Sequence, residues 1–147
     1  MIFENGRLTI KQEITNGKNK VYGVGVYVAK HALYSDVLRP YYCGNGQRQL
    51  ILTNVALGNC KDYMESNAPE TKAIAPNGYH SVSGTEGNMA FMQGWIDKER
   101  QKTTPSQRLI DDYQALLDNG AKYGRQYVVN RSNQAYPAYI VTYELHM

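Results

Sequence analysis

Clusters of Gly, Asn and Pro cut most of this chain into short β-prone runs, and that punctuation leaves little room for long helices. Strands are expected at RLTIKQ (7–12), VYGVGVYVA (21–29), RQLILTNVALG (48–58), QYVVN (126–130) and AYIVTYEL (138–145). Between them stand TNGKN, CGNGQ, APNGY and NRSNQ, all rich in the residues that turns demand. One helix interrupts the pattern. In TTPSQRLIDDYQALLDNG, Thr104 can cap, Pro105 takes the first helical position and Gln107 completes a capping box. Leu109, Ile110, Tyr113, Leu116 and Leu117 then mark one buried face, and Asn119-Gly120 supplies the stop. A weaker helix is expected from Ala32 towards Tyr42, with Pro40 ending or bending it. Residues 61–104 read as loops around a short central element. The fold class that follows is α+β.

The run 21–29 needs its own explanation. On an extended strand Val21, Gly23, Gly25, Tyr27 and Ala29 share one side, and Tyr22, Val24, Val26 and Val28 share the other. The valine side is an ordinary core face. The glycine side is flat and ends in a phenol ring, and a glycine pair in a strand points to a bulge or to the close approach of a backbone or a ligand.

Composition narrows the function. The 147 residues suit one domain. There are 13 Tyr against 2 Phe and 1 Trp, so many rings must reach a hydrogen-bond partner or lie half exposed, as in a groove. The net charge is +3 with the basic residues scattered, and the mixed cluster IDKERQKTT reads as a solvated face, so no nucleic-acid footprint is expected. No stretch approaches the ~18 apolar residues of a membrane span, and no leader pattern opens the chain. A cytoplasmic or nuclear protein is expected, with Cys43 and Cys60 as free buried thiols. His31, His80 and the two cysteines lack metal-ligand spacing, so no metal is expected.

Four segments read together resemble one family. GVGVYVA, LILTNVALGN, PNGYHSVSGT and GRQYVVNRSNQAYPAYIVTYE follow the order and spacing of the poly(ADP-ribose) polymerase catalytic domains, His80-Ser81-Val82-Ser83-Gly84 being the most specific element. The resemblance runs from residue 4 to 145. It implies an ADP-ribosyltransferase-like fold with a split antiparallel sheet and a cleft for NAD. It also implies cofactor-binding roles for Gly25, Tyr27, Ser35 and Tyr42, with Tyr27 lining the nicotinamide pocket and Tyr42 stacking on the ring. The catalytic positions it assigns are Tyr27 and Gln126.

The family reaction breaks the bond between nicotinamide and ribose through an oxocarbenium-like transition state, and its members use a His-Tyr-Glu trio. Here the glutamate position is Gln126, and no histidine precedes His31, so the domain is expected to be N-terminally incomplete relative to the family. An amide brings no negative charge to a developing cation, which would cost roughly 10²- to 10³-fold in rate. Two functions are left open. One is mono-ADP-ribosyl transfer from NAD to a protein acceptor. The other is an inactive domain of the same fold that binds a protein partner, a second copy of the chain included.

Overall fold

In the computed structural model, residues 2–4, 7–9, 22, 25–38, 40–63, 75–85 and 90–144 are described. Along the chain they form strands β1 (Ile2–Glu4), β2 (Arg7–Thr9) and β3 (Val26–Ala29), helix α1 (Ala32–Leu38), and strands β4 (Tyr41–Gly44), β5 (Gln47–Val55), β6 (Cys60–Asp62) and β7 (Ser81–Thr85). Helices α2 (Phe91–Arg100), α3 (Gln107–Asp118) and α4 (Gly120–Tyr123) follow. Strand β8 (Arg125–Val129), a 3₁₀ turn at Ser132–Gln134 and β9 (Ala135–Glu144) close the order. The fold is α+β, as expected. Its sheets run β1-β2, β3-β8-β7-β6 and β4-β5-β9. β1 pairs with β2 and β4 with β5 antiparallel, whereas β6 pairs with β7 in parallel.

The chain divides into two interleaved compact units, the first made of 1–28, 51–85 and 126–140 and the second of 29–50, 86–125 and 141–147. The first is a sheet unit. Within it Val128 and Val129, neighbours on β8, are both fully buried, which requires protein on both faces of that strand. Val129 packs with Val26 and Ala135, flanked by Val28, Val55 and Leu57. Val128 packs with Tyr22 and Val82, flanked by Tyr27, Tyr63 and Ala75. The β3–β8 pair runs antiparallel, because Lys30 donates its N–H to the Arg125 carbonyl at 3.0 Å while Gly25 lies against Val129.

Gly25 explains itself here. A Cβ on it would come within 2.4 Å of the Val129 carbonyl oxygen and 2.7 Å of Val128 Cγ1. The glycine therefore admits the backbone of β8, and of the readings open at 21–29 the close approach of a neighbouring strand is the one that applies at Gly25. Its side of the chain is filled by the protein itself instead of lying bare. Val21, Gly23 and Val24 lie outside the described residues, as do residues 10–12 of the strand expected at 7–12. Tyr22 departs from expectation too: it precedes β3 in a turn and joins the cluster of Val82, Val128 and Tyr27, not that of Val26 and Val28.

The second unit holds the helices together with β4. Met92, Ile96 and Glu99 are the buried positions of α2, one face at i, i+4 and i+7. Met92 packs with Tyr34 and Leu116. Trp95 meets Phe91 and Tyr113 edge to face, with ring centres 5.7 and 5.6 Å apart. The reading of 61–104 as loops around a short central element is corrected by two elements there, β7 and the ten-residue helix α2. The cap of α3 is also displaced. Ser106, not Thr104, accepts from the Leu109 N–H at 3.3 Å, and Glu99 accepts from the Ser106 N–H at 3.0 Å while pairing with Lys102. The hydrogen bond from Lys102, and then that from Ser106, hold the Glu99 carboxyl below its ordinary range. Asn119 ends α3, but Gly120 begins α4 instead of stopping the helix. α1 stops at Leu38, two residues before Pro40, and β4 follows where helix had been expected. The hairpin from β4 to β5 turns through Gly44, Asn45 and Gly46, all at positive φ. Both cysteines are free, and Cys43 is exposed rather than buried.

Gly25→Ala should lower stability by roughly 1–3 kcal/mol, since the added methyl meets backbone that cannot step aside. Denaturant unfolding measures this as a lower midpoint at an unchanged slope.

Candidate active site

Tyr27 and Gln126 are brought to one face of neighbouring strands. Tyr27, on β3, packs against the cluster that contains Val128. Gln126 stands two residues before Val128 on β8, so strand alternation gives it the same face, and it is 8% exposed. The Tyr27 hydroxyl accepts the Tyr22 N–H at 3.2 Å. Burial pushes this phenol above its ordinary range, against a lowering by that backbone bond, so it stays a neutral hydroxyl at physiological pH. Tyr22 is a residue the sequence reading missed. Its ring fills the space a side chain on Gly84 would need, which fixes the N–H that Tyr27 uses. The glycine of the Ser83-Gly84 pair was the available signal.

Ser35 and Tyr42 belong to the second unit. Ser35 sits within α1, half-buried, and Tyr42 is an exposed residue of β4. Arg48, on β5, links their elements: its guanidinium lies 5.0 Å from the centre of the Tyr42 ring and donates to Asp36 Oδ1 at 2.9 Å. The Tyr143 hydroxyl donates to the same oxygen at 2.5 Å. Burial works against the Arg48 charge, but the bond to Asp36 and the Asp36 charge outweigh it and hold Arg48 more firmly protonated. The Tyr143 phenol is pushed well above its ordinary range by burial and then by Asp36. This part-buried Asp36-Arg48-Tyr143 group was not anticipated, because its members are separated along the chain by 12 and 107 residues.

Chemically, the first unit offers a neutral buried amide and a neutral phenol on one face. Such a pair can grip hydroxyl and amide groups but supplies no carboxylate. Among the described residues no three of His, Cys, Asp and Glu gather as metal ligands, and no helix is long and apolar enough to cross a membrane.

The family model for the poly(ADP-ribose) polymerase catalytic domain matches residues 2–145. The chain belongs to this family. None of the curated proteins compared with it matches. Membership gives the domain an ADP-ribosyltransferase-like character, and domains of this family use NAD as substrate. The family match runs through both units and therefore includes the β3–β8 pair.

Tyr27→Phe should cost about 1 kcal/mol, because it leaves the Tyr22 N–H without its acceptor. Chemical denaturation measures the loss, and a variant as stable as the parent would mean that the N–H finds another acceptor.

Proposed function

We propose that this domain binds NAD and transfers a single ADP-ribose to a protein acceptor. The observation that carries the reading is Gln126, a buried amide on the same strand face as Tyr27. In the reaction the bond from the ribose C1′ to the pyridinium nitrogen breaks, its electron pair leaves with neutral nicotinamide, and an acceptor side chain attacks C1′. Positive charge develops on the ribose ring meanwhile. The Gln126 carbonyl can accept a hydrogen bond from the ribose 2′-hydroxyl and so orient the sugar. It presents a dipole where a carboxylate would present a full charge, and a rate lower by roughly 10²- to 10³-fold is expected. An amide cannot take a proton from a further ADP-ribose hydroxyl, so extension into a polymer has no base.

The chain's own residues fit NAD in part. Tyr27 supplies a ring and a hydroxyl, and Gln126 a hydroxyl grip. Gly25 gives no open floor for a nicotinamide ring, because β8 occupies that space. The roles of Ser35 and Tyr42 remain part of the proposal. A second reading, an inactive domain that binds protein, draws support from β9, where the consecutive residues Tyr139, Ile140 and Val141 are all exposed. Consecutive strand residues point to opposite faces, so apolar side chains of this strand meet solvent on both.

NAD or a nicotinamide-like inhibitor should raise the melting temperature as its concentration passes the dissociation constant. With labelled NAD, Gln126→Glu should transfer faster than the parent and Tyr27→Ala should transfer less. The absence of any thermal shift with millimolar ligand would refute NAD binding and leave the protein-binding reading.

A further inference from the structure

The first unit has a cavity of about 360 Å³ where the chain leaves β8, a size within the range of small-molecule sites. Arg131 and Asn133 line one part of it, Tyr79 and His80 another. The polar atoms around it are sorted by type. Several carbonyls nearby are already used: Gln134 Nε2 donates to those of Ala56 at 3.2 Å and His80 at 2.7 Å, and Ser81 Oγ donates to that of Leu57 at 2.7 Å. His80 Nδ1 accepts the Asn59 N–H at 2.9 Å, so the neutral ring carries its hydrogen on Nε2 and is a donor there. Gly58, at φ +55°, permits this placement, since a Cβ on it would come within 2.5 Å of His80 Nδ1.

Among the described lining residues, what remains is rich in donors. Arg131 forms no ion pair among the described residues, the Asn133 amide and the Tyr79 hydroxyl line the same space, and none of the described lining residues is a carboxylate. The Lys61 ammonium lies 5.5 Å from the centre of the Tyr79 ring and adds positive charge nearby. A guanidinium fork with several neutral N–H and O–H donors suits an anion with many acceptor oxygens. A phosphate has three or four, a carboxylate two. The cavity exceeds the volume of a bare phosphate, which leaves space for an organic body beside Tyr79 and Ala56.

We propose that this cavity binds the phosphate of a small phosphate monoester, at a place separate from Tyr27 and Gln126. Gln126 lies towards the start of β8, whereas the cavity follows its last residue, Val129. The proposal stands whether or not the domain uses NAD.

The test is titration of the full chain by ¹H–¹⁵N NMR with AMP, inorganic phosphate and adenosine. AMP and phosphate should give saturable shifts at Tyr79, His80, Arg131 and Asn133, with adenosine weaker than AMP by roughly tenfold. Arg131→Ala should weaken AMP binding by roughly tenfold or more, and Asn133→Asp, which is isosteric but repels an anion, should do the same. AMP binding should persist in Tyr27→Ala and Gln126→Ala. Equal binding of AMP and phosphate would support recognition of phosphate alone, and tighter AMP binding would show that the organic body adds contacts. No saturation by about 10 mM AMP and phosphate, a very weak limit, would overturn the proposal. So would adenosine binding as tightly as AMP, unchanged affinity in Arg131→Ala, or loss of binding in the Tyr27 and Gln126 variants.

Discussion

Strand β8 is buried on both faces, and the sheet unit is arranged around that fact. Val128 and Val129 are each fully buried, yet on a strand they point in opposite directions, so one serves the cluster of Tyr22 and Val82 and the other that of Val26 and Ala135. Two cores share one strand. β7 beside it is buried at every position, with Ser81 and Ser83 almost without solvent, and the Ser81 hydroxyl meets that burial by donating to the Leu57 carbonyl. On the other side β3 comes close because Gly25 carries no side chain.

The chemistry of the candidate site inherits this arrangement. Gln126 owes its face to the same alternation that sends Val128 towards Tyr27, and Tyr27 is held by a backbone N–H that Tyr22 supplies from a turn. An amide on this buried strand is a fixed dipole. It can position a sugar hydroxyl without adding charge, which is the physical basis of the proposed single transfer. In the second unit a carboxylate, a guanidinium and a phenol meet at Asp36 Oδ1, and the same Arg48 lies over Tyr42, so charge and ring packing there come from one residue.

Much of this was legible in the sequence wherever local pattern and tertiary packing agree. The stripe of α3, the strands β5, β8 and β9, and the stop of α1 before Pro40 follow from periodicity and turn chemistry. Helix α2 was hidden because the third residue of its buried face is Glu99, its interior holds Gly94, and Ala90 at its start gives no side-chain cap. Lys102 reaches that carboxylate from three residues on, but only the fold brings the Ser106 N–H to it and makes its burial tolerable. β7 was hidden by its serines, which read as loop until their partners are known. At Gly25 a bulge, a backbone and a ligand stayed open, because spacing alone cannot say which of them fills the gap. The site pair Tyr27 and Gln126 was named from motif resemblance, and their shared face needed the register of β3 against β8.

That register is the central claim, and nuclear Overhauser contacts in a methyl- and Tyr-labelled sample test it directly. The account predicts contacts from the Tyr27 ring to the Val128 methyls and from Val129 to Val26 and Ala135. Contacts from Val128 to Val26 and Ala135 instead would mean a slip by one residue, which turns Gln126 away from Tyr27 and contradicts the account.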